Sequence, residues 1–429
     1  MDAKDLYLQK TSSEAVLADK AVMMFDSNGE PFAFDAKMLF NPQFKDLSMF
    51  DHQGASLLAR CTANTYVVKT PGYYKFPFVY GNAVKNGAAN TEAYTNIGGS
   101  TCANFVNHLG VPITSPYLEG NANCKPTSVE VTFQTSAGLI LGLEAVAGGD
   151  CGYARFRVES IPDNGAYAVI SAKNSSGQVI WSWTIWCYKD DLTDIEFTNY
   201  QGVRYSMMPV NLCTIKSSSA PTFRNAHYQW GRKDPIPHVT VYGADGNTKS
   251  LIISTTPAGD IKDGILNPFT FFCQDADNNN DWQSAVTSRY NHWDAAKTAA
   301  GATDSNTKKT VYDPCPVGFK VPNARVYTGF TTTGGNTSDS SQFNVVGNWS
   351  SGWNFKRNAN DAAGNYFPAS GCRDRESGAL GSMGSYGYYW SSAPYSAALA
   401  YYLYFDSGYV YPLHVSSRAI GFSVRPVRE

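Results

Sequence analysis

Nine of the chain's 27 tyrosines fall within its last 44 residues, at positions 386, 388, 389, 395, 401, 402, 404, 409 and 411. Between residues 385 and 420 only Asp406 and Arg418 carry a formal charge, and no lysine follows Lys356. Tyrosine presents a large amphipathic ring at low rotamer cost, and serine and glycine adapt their hydrogen bonds to varied partners. This is the chemistry of recognition rather than of proton transfer. Along 401–406, period-two alternation puts Tyr401, Leu403 and Phe405 on one face of a strand and Tyr402, Tyr404 and Asp406 on the other. One face must pack on a core, so Tyr402, Leu403 and Phe405 are expected to be buried, with Trp390, Phe422 and Val424. The expected ligand contacts are Tyr386, Tyr388, Asp406, Tyr409, Tyr411, Leu413, His414 and Ser416. They lie in stretches broken by Gly, Pro and Ser that should be loops. Arg418 beside them is expected to anchor the loop.

Other residue types offer less. Asp275, Asp277, Asn279 and Asp281 alternate like the start of an EF-hand loop, but Asn280 stands where that loop needs Gly and Val286 where it needs Glu. A hydrated turn with Asp281 capping a following helix is the expectation, and no metal or other cofactor is expected. Nine cysteines, at 61, 102, 124, 151, 187, 213, 273, 315 and 372, show neither CxxC nor metal-ligand spacing and read as mostly buried thiols. The six histidines (52, 108, 227, 238, 292 and 414) are scattered, without the spacing of a catalytic dyad or triad. His227, beside Tyr228 and Trp230, is expected to be a packed core histidine. No catalytic residue is assigned.

The elements that must position the C-terminal residues read as mainly β. Charged residues are 16% and aromatics 14%, a mix that suits strands and long ordered loops. The net charge of -2, without a Lys/Arg block, argues against a nucleic-acid partner. No run of 18 apolar residues is present, so the chain is expected not to span a membrane. Met1-Asp-Ala-Lys-Asp5 has no apolar h-region, so any secretion leader should lie outside this chain. Alternation or turn-bounded runs predict strands at Thr65–Val68, Val129–Phe133, around Phe156 and Val158, at Tyr167–Ala172 and at Val179–Cys187. Such short strands, joined by turns like Pro162-Asp-Asn-Gly165, suggest an immunoglobulin- or pilin-like β-sandwich over 1–192. The polar stretch Asp190–Asp194 marks the boundary to a second domain over 193–429. There, Trp282, Ala285, Val286, Arg289 and Trp293 fall near helical spacing and predict a helix over 282–299. Long Gly/Ser/Asn/Thr loops follow.

Four stretches of the second half carry a resemblance: Tyr205-Ser-Met-Met-Pro-Val-Asn-Leu212; Tyr228-Gln-Trp-Gly-Arg-Lys-Asp-Pro235; Tyr312-Asp-Pro-Cys-Pro-Val-Gly-Phe-Lys-Val-Pro322; and Phe367-Pro-Ala-Ser-Gly371 continuing through Tyr389-Trp-Ser-Ser392 and Tyr402-Leu-Tyr-Phe405 to Gly421-Phe-Ser-Val-Arg-Pro-Val427. In order and spacing they resemble the Fibrobacter succinogenes major paralogous domain of fimbrillin-like surface proteins from gut Bacteroides. That family is similar to the C-type-lectin-like and formylglycine-generating-enzyme superfamily. The resemblance implies a compact α+β C-type-lectin-like domain whose N- and C-terminal strands pair, following the mainly β N-terminal half. It also implies a secreted, cell-surface or pilus location. Tyr73–Asn82 and Ile180–Trp186 are similar to segments that precede this domain in fimbrillin-like proteins.

The expected function is a surface or pilus-tip adhesin that binds a protein or glycan ligand, with pilin subunits as further partners. A structural pilus subunit and an enzyme of the formylglycine-generating type are the alternatives. The enzyme needs a close pair of cysteines late in the domain, and none follows Cys372. Calcium-dependent lectins of this fold use Glu-Pro-Asn or Gln-Pro-Asp with Trp-Asn-Asp, which are missing here. The domain also resembles the variable proteins of diversity-generating retroelements. In those, Asp406, Tyr409, Tyr411, Leu413, His414, Val415, Ser416, Ser417, Ala419 and Ile420 would be residues of the type found at diversified positions.

Overall fold

The computed structural model describes residues 43–95, 104–216, 224–274, 280–284, 289–302 and 307–429, together with the backbone of two N-terminal strands. It divides into two units, Met1–Lys45 and Asp46–Glu429. In the first, Ala21–Phe25 and Pro31–Asp35 form an antiparallel hairpin in which Phe25 faces Pro31 and Ala21 faces Asp35. Strands account for 38% of the structure and helix for 7%, so the fold is mainly β.

In the second unit the expected strands form where alternation or apolar runs place them. Ser128–Gln134, Ala166–Lys173, Val179–Cys187 and Thr65–Val68 lie side by side in a six-stranded sheet. Its last pair is parallel, with Thr184 opposite Thr65, and the others are antiparallel. Ala166–Lys173 and Val179–Cys187 are buried along almost their whole length, which explains their continuous apolar runs. A second antiparallel set, Gly72–Pro77, Tyr153–Val158 and Leu141–Val146, includes a strand that is buried at every other residue, at Ala154, Phe156 and Val158. The two sets meet through rings: Phe76 lies 5.0 Å from Trp183 and 5.6 Å from Tyr66.

The core does not stop at residue 192. Val241–Tyr242 joins the six-stranded sheet beside Ser128–Gln134, with Tyr242 opposite Gln134. Buried Asn64 donates to the carbonyl oxygens of Val311 (2.6 Å) and Asp313 (2.8 Å). The Tyr312 hydroxyl donates to the Val106 carbonyl at 2.9 Å. One apolar cluster therefore runs from Tyr66 and Trp183 to Trp230, Tyr312 and Phe422.

Within 193–429, strands Ile195–Thr198, Arg204–Met207, Val427–Arg428 and Phe319–Lys320 form one sheet in that order. Met207 faces Val427 and Lys320 faces the same residue from the other side, so the two ends of this stretch meet. A second aromatic core, with Phe330 stacked on Phe355 at 4.1 Å and both close to Phe367, lies beneath the last strands of the chain.

The helix expected over 282–299 is a correction: the described residues of that stretch contain none. Trp282 and Trp293 are both fully buried, but their indole N–H groups serve carbonyls in different places, Trp230 at 2.8 Å and Tyr312 at 3.1 Å. Gln283 forms a parallel bridge with Ala258. Burial of each indole in its own site overrides the apparent period. Asp281 caps no helix; it is buried with its carboxylate 3.7 Å from Arg418. The α-helix that does form among the described residues is Ile261–Leu266, closed by a capping box of Asp260 and Asp263. No helix among the described residues is long and apolar enough to cross a membrane.

Candidate functional site

The tyrosine-rich stretch folds as a three-stranded antiparallel sheet of Gly387–Pro394, Leu399–Phe405 and Val410–Ser417. This corrects the expected loops: Tyr388, Tyr411, Leu413, His414 and Ser416 all lie in strands. The Pro412 ring is tolerated because Val410–Ser417 is the outer strand of this sheet and Pro412 falls at an irregular step of its pairing.

The inner face is Tyr389, Leu403, Phe405 and Val410, all buried in the second aromatic core. Close approach of the first two strands depends on Gly387, where a β-carbon would meet the Phe405 ring at 2.1 Å. Tyr402, Leu403, Phe405, Trp390, Phe422 and Val424 are buried as expected. At one end of the outer face, Trp390 and Tyr402 are covered by Phe422, whose ring lies 4.5 and 4.7 Å away. The face opens toward Tyr404 and Tyr411.

The register brings the outer rings together. Tyr388 is opposite Tyr404, Tyr402 opposite His414, and Tyr404 opposite Tyr411. Simple alternation would separate Tyr411 and His414, three residues apart, onto opposite faces. The irregular step between Tyr402 and Tyr404 restores them to one side, with ring centroids 5.4 Å apart. Tyr404 is the hub, lying 5.9 Å from Tyr386, 5.5 Å from Tyr388, 5.6 Å from Tyr411 and 5.9 Å from His414. Tyr409 continues the row at 5.5 Å from Tyr411. Tyr386 and Tyr409, at the two ends, are 37% and 43% exposed, whereas Tyr388, Tyr404, Tyr411 and His414 are half-buried.

Tyr404 was not among the expected contacts. The signal for it was present, since alternation puts it on the same face as Tyr402, but only the cross-strand register reveals its central position. Ser416, opposite Ala400, is half-buried on the side of His414. Leu413 falls in the irregular step, half-buried, with its N–H donated to Asn336 Oδ1 at 3.1 Å.

Asp406 is a further correction. It is 9% exposed, and its carboxylate holds the turn between the last two strands. Oδ1 accepts from the N–H groups of Gly408 (2.6 Å) and Tyr409 (2.9 Å), and Oδ2 accepts from the Tyr404 hydroxyl (2.6 Å). Its lone pairs satisfy the turn, so Asp406 supports the face rather than contacting a ligand. Ser417 and Ala419, among the residues of diversified type, are likewise buried.

The carboxylate of the outer face, Asp406, is held within the turn and against the Tyr404 hydroxyl. Burial first, and then the bond to Asp406, pushes the Tyr404 hydroxyl well above the ordinary phenol range. Burial does the same at Tyr388 and Tyr402, and it pushes the His414 imidazole below its ordinary value. Arg418 is 1% exposed; its guanidinium lies 4.2 Å from the Trp230 ring and donates to the carbonyl of Ser396 at 2.6 Å. It is the anchor expected of it. His227 is fully buried and stacked on His238 at 5.1 Å, as a core histidine. All eight described cysteines are free thiols, six of them buried. The calcium-like residues Asp275, Asp277 and Asn279 lie outside the described residues.

No curated protein and no solved structure matches the chain. A family model described as a domain of unknown function (DUF8237) matches residues 350–427, a stretch that contains the whole tyrosine sheet and part of the aromatic core beneath it.

Proposed function

We propose that the chain is a non-catalytic binding protein of the bacterial surface, an adhesin or pilus-tip component that takes its ligand on the outer face of the tyrosine sheet. The observation that carries this reading is the row of rings at Tyr386, Tyr404, Tyr411 and Tyr409, exposed at its two ends and half-buried between, and backed by a fully buried inner face. Preorganised rings lose little entropy on binding, and contiguous exposed aromatic surface on a folded chain marks recognition sites. In this proposal the immunoglobulin- or pilin-like part, expected over 1–192, holds the protein at the surface, although its six-stranded sheet also takes in Val241–Tyr242. Residues 193–429 form the C-type-lectin-like binder, with Tyr409, Tyr411, His414 and Ser416 at variable positions. A subunit that polymerises by donating its last strand has less support, because Val427–Arg428 is already paired on both sides.

Beads coated with the chain, passed over immobilised mucin, collagen and fibronectin, test this reading. The expected result is retention on at least one surface that falls by about tenfold in the Y386A/Y409A double variant, the equivalent of about 1.4 kcal/mol. Equal retention of wild type and variant, or no retention on any surface, counts against it.

A further inference from the structure

We infer that the ligand of the tyrosine face is an uncharged oligosaccharide stacked along the row Tyr386–Tyr404–Tyr411–Tyr409. This rests on the binding-surface reading above and narrows it to one class of ligand.

Three observations lead there. The first is extent. A wholly covered tyrosine removes about 200 Å² from solvent. Two rings here are 37% and 43% exposed and the other two are half-buried, so the row offers on the order of 250 Å². A stable protein partner takes about 800 Å² from each side, more than twice that. A few sugar rings fit the smaller area.

The second is charge. The stretch from 385 to 420 contains two formally charged residues, and neither is available. Asp406 is committed to Gly408, Tyr409 and Tyr404, and Arg418 is buried against Trp230. Nothing in the stretch would pair with a sialate, sulfate or phosphate.

The third is shape. Successive centroids along the row are 5.9, 5.6 and 5.5 Å apart and successive ring planes turn by 26°, 43° and 66°, a twisted row rather than one flat platform, with the most exposed rings at its two ends. The faces of aromatic rings carry partial negative charge. The axial C–H bonds on the flat face of a pyranose carry partial positive charge, and its equatorial hydroxyls point sideways. Phenol hydroxyls of the outlying tyrosines can donate to or accept from those hydroxyls. A row of rings favours a linear chain of sugars over a single residue.

The test titrates the intact chain by calorimetry with cellohexaose, mannohexaose and chitohexaose. 3′-Sialyllactose and a heparin hexasaccharide serve as charged probes, and fibronectin and collagen as protein probes. The expected result is binding of at least one neutral hexasaccharide, weakened about tenfold by Tyr409→Ala and by Tyr386→Ala but much less by Tyr409→Phe, which keeps the ring. Both tyrosines are exposed, and an unchanged thermal midpoint verifies that the variants fold. Tyrosine-dependent binding of the charged sugars alone, or of a protein alone, overturns the oligosaccharide assignment and leaves the binding-surface reading intact. Binding that ignores both tyrosines, or no binding to any probe, overturns both.

Discussion

At the scale of the residue, Asp406 shows how a polar side chain in a tyrosine-rich stretch can serve the scaffold. Its oxygens accept from two backbone N–H groups and one phenol, and its own carbonyl accepts from the Trp353 indole at 2.8 Å. Asp406→Ala is therefore expected to lower unfolding stability by about 2 kcal/mol, and Tyr404→Phe by about 1 kcal/mol. Urea unfolding of both single variants and the double variant measures this, with a coupling of about 1 kcal/mol expected between residues in direct contact. An exposed ligand group at 406 would instead give a change close to zero. Several side chains were legible in the sequence: Arg418 as an anchor, His227 as core, and Trp390, Leu403 and Phe405 as buried. Each follows from local composition and period. Asp406 was not, because its role is set by where the chain turns.

At the scale of the element, the strands legible in the sequence were those whose burial follows their own period, such as Tyr153–Val158, or whose apolar run ends at clear turns, such as Val179–Cys187. Two kinds of element were hidden. The helix expected over 282–299 fails because Trp282 and Trp293 bury against different partners, a tertiary demand that overrides local spacing. Val410–Ser417 was hidden because Pro412 and the irregular step break its alternation. The sheet that results is held close at Gly387. Gly387→Ala should cost about 3 kcal/mol or more, since the added methyl group runs into the buried Phe405 ring. Gly408→Ala, whose β-carbon would find its nearest neighbour at 3.7 Å, should change stability by less than about 0.5 kcal/mol. Equal losses in the two variants, measured by thermal unfolding, would show that the strands can separate to admit the methyl group.

At the scale of the whole molecule, the mainly β character was legible from composition, but the shared core across residue 192 was not. Asn64 reaching Val311 and Tyr242 pairing with Gln134 are long-range contacts that no local pattern announces. The same core makes the chain sensitive to acid. Burial holds His227 and His292 well below the ordinary imidazole value and His238 down at about 4. Below pH ~6.5 the unfolded chain therefore binds more protons than the folded one, and stability falls as pH falls. Asp281 works the other way: burial raises it to about 6, so its contribution is full at low pH and is lost as pH rises toward 6. The histidines should set the slope just below pH 6.5. His292→Leu is expected to make that slope shallower by up to about 1.4 kcal/mol per pH unit, measured by urea unfolding at pH 7.5, 6.0 and 5.5. An unchanged slope would mean that His292 takes up its proton equally in the folded and unfolded states, against the burial seen here.

The strand Val427–Arg428 has a consequence for how the protein is made. It lies between Arg204–Met207 and Phe319–Lys320, so that sheet lacks a central member until residue 428 has been synthesised and has left the ribosome. Translation delivers about 5–20 residues per second, so more than two hundred residues beyond Met207 take on the order of ten seconds or more. Throughout that interval the edge of Arg204–Met207 is an unfilled template. An edge left open for that long is a place where another extended segment could pair in error, so the last strand to be made is also the one that removes the hazard.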